Sequence, residues 1–378
     1  MIDVNDIKNC CGCMACQQVC PTGAISGGTD KNGFVVPQID AQKCVSCGAC
    51  DRVCAFRREK QTEQNVKKAY GFQLGDKDAL LKSTSGGAFT ALSNVVLQSG
   101  GVICGAVADE SLTVRHCFAE DKSGRDAMRM SKYVQSSTEG VFERVKELLS
   151  DGKKVMFVGT PCQTAQLRQY VGESAQGLLC CDFLCHGVPG QEFFNAHIRY
   201  LEKKFRKKAV SYNFRGKRYG WNHGIEEIVF SDGSHKDNIT VQSFSRFFQG
   251  GMSLRDSCRN CKYRSLHRFS DVTIADFWGL EKAMGITDRY GYSLIFVNSE
   301  AGLQWVQSLQ SAGKLSEVPL EKVLYRISVE PSKSRVEPEK FWEAYHSGGY
   351  EGVAARYAKA SASDALKLKI KQQTQKLK

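Results

Sequence analysis

The chain lacks a long apolar run, a leader-like amino terminus and the common nucleotide-binding loops. Its longest dense apolar stretch, GLLCCDFLC at 177–185, falls far short of the ~20 residues that span a bilayer. The first residues, MIDVNDIKNC, lack the basic and apolar segments of a signal peptide. No G-x-G-x-x-G follows a predicted strand, and no G-x-x-x-x-G-K-S/T occurs. We therefore expect a cytoplasmic protein with no membrane span, no standard dinucleotide fold and no P-loop.

Cysteine is abundant, with 17 residues in a chain of 378, a length that suits two or three domains. In a reducing compartment these thiols are expected to hold metal rather than to form disulfides. The chain also has 52 basic and 40 acidic residues, a formal excess of +12. No nucleic-acid-binding motif accompanies the basic segments, so we expect no nucleic-acid partner.

Eight cysteines near the amino terminus form two copies of one spacing, C-x2-C-x2-C-x3-C, offset by thirty-four residues. This spacing is typical of a bacterial ferredoxin with two 4Fe-4S clusters, in which the fourth cysteine of each copy ligates the other cluster. Structural zinc is the alternative, but zinc sites use two C-x2-C steps set well apart. The spacing assigns Cys10, Cys13, Cys16 and Cys54 to one cluster, and Cys44, Cys47, Cys50 and Cys20 to the other. Cys11, beside Cys10, is expected to pack as a small apolar residue; the alternative is that it competes with Cys10 for iron.

Composition and periodicity divide the rest of the chain. Strands alternate with helices up to residue 208, which indicates a largely parallel sheet, and later segments are richer in strands. A helix with Val141, Val145 and Leu148 on one face is predicted, with Thr138 as its N-cap. The expected architecture is a dicluster ferredoxin module (1–56), a charged linker (57–68), a mixed α/β body (69–350, with parts at about 69–160 and 161–350) and a basic helical tail (351–378).

Four further cysteines stand at predicted strand ends or in a C-x2-C step. Cys162 begins a helix, whose dipole is expected to lower the pKa of the thiol. Cys185 ends a strand, and Cys258 and Cys261 form the step. We predict that these four hold a third 4Fe-4S cluster. The alternatives are that Cys162 and Cys185 are core thiols while the step binds zinc or nothing, and that Cys180 or Cys181 replaces Cys185.

The segment KSTSGGAF places small residues at the start of a predicted helix. Such a helix end can bind the phosphates of a cofactor, although the same residues would also make an ordinary N-cap. A cofactor is required on chemical grounds, because clusters pass single electrons and a two-electron reduction needs a group that collects them; a flavin is the usual choice.

Read in order, the SGG helix, SKYVQSS, the GTPC turn, CHGVP, the C-x2-C step and DFWG resemble the coenzyme F420 hydrogenase/dehydrogenase beta-subunit family, in the branch with a fused dicluster ferredoxin domain. The resemblance implies FAD beside a 4Fe-4S cluster. It also implies that a group of residues lines the cofactor: Ser85, Gly86, Gly87, Lys132, Tyr133, Gln135, Ser136, Thr160, Pro161, Asp276, Phe277 and Trp278. For Phe277 and Trp278, plain core packing is the alternative.

The resemblance and the residues together predict an oxidoreductase. Electrons are expected to pass from a ferredoxin-like donor to a small hydride acceptor, such as coenzyme F420 or a substrate of surface-polysaccharide synthesis. His186, Arg215 and Arg218 are predicted as proton donor and anion clamp, although a histidine beside a cysteine ligand is more often a support for the ligand. The alternative function is an electron-relay subunit of a larger oxidoreductase, without a substrate site. An oligomer is compatible with either function.

Overall fold

The computed structural model describes residues 9–59, 61, 63–221, 224–359 and 361–374. Residues 1–8 of the predicted ferredoxin module, two linker positions, and the last four residues of the predicted tail lie outside the described residues. The amino-terminal module contains two short helices and a hairpin of antiparallel strands. Its elements are α1 (Ala15–Gln18), β1 (Ile25–Thr29), β2 (Val35–Ile39) and α2 (Ala49–Val53), followed by a 3-10 turn at Ala55–Arg57.

The body is built on an eight-stranded sheet and a three-stranded antiparallel sheet within the described residues. The strands are β3 (Lys68–Leu74), β4 (Val102–Ala108), β5 (Val114–Ala119), β6 (Val155–Val158), β7 (Leu178–Phe183), β8 (Ala209–Gly216), β9 (Ile225–Phe230), β10 (His235–Lys236), β11 (Val272–Asp276), β12 (Ser293–Val297) and β13 (Gly313–Val318). The large sheet has the order β13-β3-β12-β11-β7-β6-β4-β5, and the small one β10-β9-β8.

Helices cover the sheets and form the carboxyl-terminal region. They are α3 (Lys77–Leu81), α4 (Ala88–Gln98), α5 (Lys122–Ala127), α6 (Val141–Ser150), α7 (Pro161–Val171), α8 (Gln191–Phe205), α9 (Ser243–Gln249), α10 (Asp256–Arg259), α11 (Leu280–Met284), α12 (Glu300–Gln307), α13 (Pro338–Tyr357) and α14 (Ala362–Thr374). The mixed α/β class predicted from the sequence is confirmed.

Only the centre of the large sheet is parallel. Strands β4, β6, β7 and β11 pair in parallel, whereas β5, β12, β3 and β13 join by antiparallel pairs. The alternation of strands and helices up to residue 208 therefore predicted the parallel strands β4, β6 and β7, and it made no prediction of the direction of β12, β3 and β13. The stripe of α6 is buried as predicted, but Gly140 in the left-handed region is its N-cap, not Thr138.

A large aromatic core joins the small sheet to α8, α9 and α13. Phe193 and Phe194 of α8 are 1% exposed, and burial of a phenylalanine side chain stabilises the fold by roughly 1.5–3 kcal/mol. Phe34 of the amino-terminal hairpin belongs to the same core and contacts Trp342 edge to face, with ring centroids 5.8 Å apart. The amino-terminal module is therefore packed into the body through a buried side chain.

Candidate functional site

The two cysteine motifs of the amino-terminal module fold alike. Gly12 and Met14 adopt left-handed backbone conformations in the first motif, and Ser46 and Gly48, thirty-four residues later, do so in the second. Positive φ at these positions turns the backbone tightly between successive cysteines and precedes the short helices α1 and α2. The repeated spacing in the sequence thus becomes a repeated loop geometry.

The second motif and the last cysteine of the first share one small cavity. Cys20, Cys44, Cys47 and Cys50 line it, together with apolar side chains that include Ile25. The amide of Ala24 donates to the Cys20 sulfur at 3.3 Å, the kind of bond that stabilises a sulfur ligand. Four thiols around one cavity suit a 4Fe-4S cluster.

Three other thiols of the module, those of Cys10, Cys16 and Cys54, lie close together beside this cavity. Burial raises the pKa of Cys16 to about 12, and Cys10 and Cys54 add to the shift because they lie close to it. Burial also raises the pKa of Cys54, with a further contribution from Cys10. These thiols therefore form a second group, adjacent to Cys50, in which a bound cation would replace the protons.

The four cysteines of the body are brought together from distant elements. Cys185 follows β7 and lies close to Cys258, Cys162 and Cys261; burial raises its pKa well above the usual value, and these thiols raise it further. Burial likewise raises the pKa of Cys258 to about 12 and that of Cys261 to about 11. Neighbouring Cys180 and Cys181 are buried within β7 in two different cores, so they do not join this group.

The prediction that the helix dipole lowers the pKa of Cys162 is wrong for the free thiol. Thr160 caps α7 in a capping box with Gln163, as the GTPC turn suggests, and its hydroxyl lies 3.1 Å from the Cys162 sulfur. A hydrogen bond with Cys11 and burial nevertheless raise the pKa of Cys162 well above the usual value. The hydrogen bond with Cys11 and the burial of the thiol therefore raise the pKa of Cys162 by more than the amino-terminal end of α7 lowers it.

Cys11 is not simply a packing residue. Its thiol is within hydrogen-bonding reach of Cys13 and of Cys162, so it lies between the thiols of the module and those of the body. The only signal of this in the sequence was an extra cysteine beside Cys10.

A second group of predicted residues meets at the end of β11. The Asp276 carboxylate accepts hydrogen bonds from the Ser85 hydroxyl and from the Arg215 guanidinium. That guanidinium lies over the Trp278 ring, 5.2 Å from its centroid. Tyr133 is close to Arg215 and Asp276, and burial raises the pKa of its phenol. Asp276 thus joins residues from three other segments, and the group offers aromatic surface and an ion-paired guanidinium.

Lys217 is part of this group, although it was not among the predicted site residues. Its ammonium donates to the carbonyl oxygens of Ser85 and Leu80. Burial lowers the pKa of Lys217 to about 7, which makes it able to exchange a proton near neutral pH. Its position in FRGKRYGW, two residues after Arg215, was the available signal. Trp221 completes the group by stacking on Trp278, with centroids 4.8 Å apart.

The glycines of the SGG turn serve packing in this conformation. The Gly86 amide donates to the Ser293 hydroxyl at 2.9 Å, and the Gly87 amide donates to the Thr84 carbonyl at 3.1 Å. A Cβ on Gly86 would lie 2.0 Å from the Phe72 carbonyl oxygen. These two amides are therefore engaged within the chain and do not fit the predicted phosphate seat.

Other predicted residues lie elsewhere. The Lys132 ammonium donates to the carbonyls of Ala127 and Arg129, and burial lowers its pKa to about 7. Ser136 accepts from Gln163, next to Pro161 at the start of α7, and Phe277 is wholly buried in a core. The side chain of Arg218 contacts His235, away from Arg215.

His186 lies between the body cysteines and the Asp276 group. Its ring packs edge to face on Phe248, which in turn stacks on Tyr133. Burial, and then the nearby Arg264, lower the pKa of His186, so its imidazole is neutral at pH 7. Its Nε2 atom is buried without a hydrogen-bond partner among the described residues.

Comparison with known proteins identifies two segments. Residues 9–57 match the model for a 4Fe-4S dicluster domain, and residues 152–323 match the model for the carboxyl terminus of the coenzyme F420 hydrogenase/dehydrogenase beta subunit. No curated protein matches the chain. Within the described residues, no helix has both the length and the apolar character needed to cross a bilayer.

One solved structure similar to this chain is a xenon derivative of the F420-reducing NiFe hydrogenase complex from Methanosarcina barkeri. The matched chain is 15% identical, with a TM-score of 0.46, and the alignment covers 75% of this chain and 92% of that one. On the two family matches, this chain is an iron–sulfur electron-transfer protein related to the beta subunits of coenzyme F420 hydrogenases and dehydrogenases.

Proposed function

We propose that the chain is an iron–sulfur flavoenzyme that takes electrons from a ferredoxin-type donor and delivers them to a small organic hydride acceptor, such as coenzyme F420. The observation that carries the proposal is the contact between two thiol groups: Cys11 of the dicluster module touches Cys162 of the body. Electrons could therefore pass from the sites of the module to a site in the body. The abundance of reduced thiols favours the cytoplasm as its compartment.

A third 4Fe-4S cluster is the group that best suits the body cysteines. Its ligands would be Cys162, Cys185, Cys258 and Cys261. Zinc also binds four thiolates, but zinc has no redox chemistry, whereas a 4Fe-4S cluster at the same site could exchange electrons with the module. Replacing Cys258 by serine tests this proposal, because the iron content should fall by about four per chain.

The flavin would lie against the group formed by Tyr133, Arg215, Asp276 and Trp278. When bound, FAD supplies the two-electron step that single-electron clusters cannot perform alone. Aromatic rings and a stacked guanidinium favour a planar ligand, and the neutral imidazole of His186 lies between this group and Cys185. Lys217 would exchange a proton with the acceptor. Because the Gly86 and Gly87 amides already donate hydrogen bonds within the chain, the phosphates of FAD would not bind to these two amides in this conformation.

The engaged amides also favour a second candidate function, an electron-relay subunit without flavin that docks on a larger oxidoreductase. One analysis separates the two candidates: anaerobic purification followed by iron, sulfide, zinc and flavin determination on one sample. About twelve irons and one FAD per chain are expected for the enzyme. Twelve irons without flavin would favour the relay, and about eight irons would contradict both.

A further inference from the structure

The loop that carries the first three cysteine ligands is held by side chains of the body. Arg255 Nε donates to the Cys10 carbonyl at 2.6 Å. Gln135 Nε2 donates to the Cys11 carbonyl, and Thr138 Oγ1 to the Cys13 carbonyl, each at 2.8 Å. These bonds fix the backbone of the loop at several points, so the position of the loop depends on the body and not on the module alone.

Arg255 is the centre of this contact. Besides Cys10, its guanidinium donates to the Val35 carbonyl at 2.7 Å and to Gln135 Oε1 at 3.0 Å, and the residue is 3% exposed. Arg255 is also the N-cap residue of α10, the helix that carries Cys258. One side chain thus ties the first cysteine loop to the C-x2-C step. Lysine cannot reproduce these bonds, since its single ammonium lacks the planar fork of arginine.

Gly12 shows how close the contact is. Its φ is +67°, and a Cβ there would lie 2.6 Å from Gln135 Nε2, 2.6 Å from the Val35 carbonyl oxygen and 2.8 Å from a guanidinium nitrogen of Arg255. No side chain fits between the loop and the body.

A second contact joins the far end of the same ligand group. Lys262, beside Cys261, donates to the Ala55 carbonyl at 2.7 Å, directly after Cys54. The amide of Ala55 donates to Gln166 Oε1 at 2.9 Å. Both ends of the Cys10, Cys13, Cys16 and Cys54 group therefore face the body cysteines.

The other ligand group of the module faces outward. Cys47 is exposed, and neighbouring Val45 is 64% exposed, an apolar side chain in open contact with solvent. An external protein can approach this group directly.

We infer that the two sites of the module have different roles. The site of Cys10, Cys13, Cys16 and Cys54 is the inner one, which faces the body, and Arg255 is the residue that positions it. The site of Cys20, Cys44, Cys47 and Cys50 is the outer one, which meets the ferredoxin-type donor. The inference rests on the proposed function. In each transfer one electron leaves the donor and one reaches the body site, with no bond or proton exchanged.

The test compares Arg255→Lys with wild type and with Arg246→Lys, a matched control whose guanidinium donates to the Ala358 carbonyl away from the cysteines. Iron content is measured first, then magnetic coupling between clusters in dithionite-reduced protein by electron paramagnetic resonance, then the rate at which reduced ferredoxin reduces the body site. In Arg255→Lys, iron should stay at the wild-type value while the rate falls several-fold, because the rate of electron tunnelling decreases exponentially with the distance between the two sites. The control should match wild type.

Equal rates in Arg255→Lys and wild type would overturn the inference. If Arg255→Lys fails to fold, Gln135→Ala, which removes one of the loop bonds, is measured in the same way and should also slow the transfer. Val45→Asp should instead slow reduction by ferredoxin while magnetic coupling between the inner and body sites stays intact; an unchanged rate would contradict the outer assignment. Wild type with fewer than three clusters would contradict the proposed function itself, whereas three clusters without coupling between module and body would contradict only this inference.

Discussion

Replacement of Arg268 by methionine should strongly destabilise the body. Arg268 donates to Asp182 Oδ2 at 2.7 Å, and both side chains are almost completely removed from solvent, at 2% and 0% exposure. The Thr273 hydroxyl donates to the other carboxylate oxygen at 2.6 Å. Without the guanidinium, the buried carboxylate keeps only this hydroxyl as a hydrogen-bond partner among the described residues. Asp182 stands in β7, three residues before Cys185, so the pair also supports the strand end that presents this thiol.

The expected loss follows from the burial of the pair. Removing one partner of a buried ion pair typically costs about 3–5 kcal/mol of unfolding free energy. With an m value of about 3 kcal/mol/M in urea, the midpoint should fall by about 1 M or more. Anaerobic urea unfolding followed by tryptophan fluorescence reports on the body, because the 4 tryptophans all lie there: Trp221, Trp278, Trp305 and Trp342.

The control is the double variant Arg268→Met with Asp182→Asn, which removes the unpaired charge. Because an amide is less costly to bury than a carboxylate, the double variant should regain part of the lost stability. If the single and double variants unfold at the same urea concentration, the charge on Asp182 does not cause the loss, and the reasoning fails.

Two further predictions concern the small sheet and the SGG turn. Burial raises the pKa of Glu226 to about 8, so the folded chain keeps a proton that the unfolded chain loses near pH 4.5. The contribution of the protonated Glu226 to stability is therefore complete below pH 4.5 and is lost as the pH rises through 8. Glu226→Gln should therefore reduce the fall in unfolding free energy between pH 5 and 8 by a few kcal/mol, and an unchanged slope in urea titrations would refute this. Gly86→Ala should lower stability by about 1–3 kcal/mol or prevent folding, because its Cβ would clash with the backbone of Phe72. The control Gly348→Ala, with nothing within 4 Å of the new Cβ, should be neutral or slightly stabilising. Equal urea midpoints for the two variants would contradict the packing argument.

The thiol groups of the module could be predicted from the sequence because their geometry is largely local. In the module, C-x2-C-x2-C needs only the left-handed residues at 12, 14, 46 and 48 to bring the thiols together. In the body, Cys162 and Cys185 were found because parallel strands direct their carboxyl ends to one edge of the sheet, as β6 and β7 do. The helices were equally predictable where an apolar stripe was present, as in α6, in which Val141, Val145 and Leu148 are buried.

Residues whose role depends on long-range contact were not predictable. Arg255 was visible only as one of several cations around a C-x2-C step, and nothing in the local sequence indicates that it bonds to a carbonyl 245 residues earlier. Lys217 was hidden in the same way, since its low pKa comes from burial. The antiparallel strands β3 and β13 pair across more than two hundred residues, and neither has a periodicity that specifies its partner.

Several cations of this basic chain lie beside the body cysteines, where they would balance the negative charge of a metal site. Arg255, Lys262 and Arg264 donate to carbonyl or hydroxyl oxygens, and none of them forms an ion pair with a carboxylate within the described residues. Three uncompensated cations next to buried thiols would be costly in a chain without metal. A 4Fe-4S cluster with four thiolates carries a charge of about −2, and neighbouring cations stabilise that charge and raise the reduction potential. If the proposed third cluster is bound at the body cysteines, these three cations would be its counter-charge, and this part of the +12 excess would need no nucleic-acid partner as its explanation.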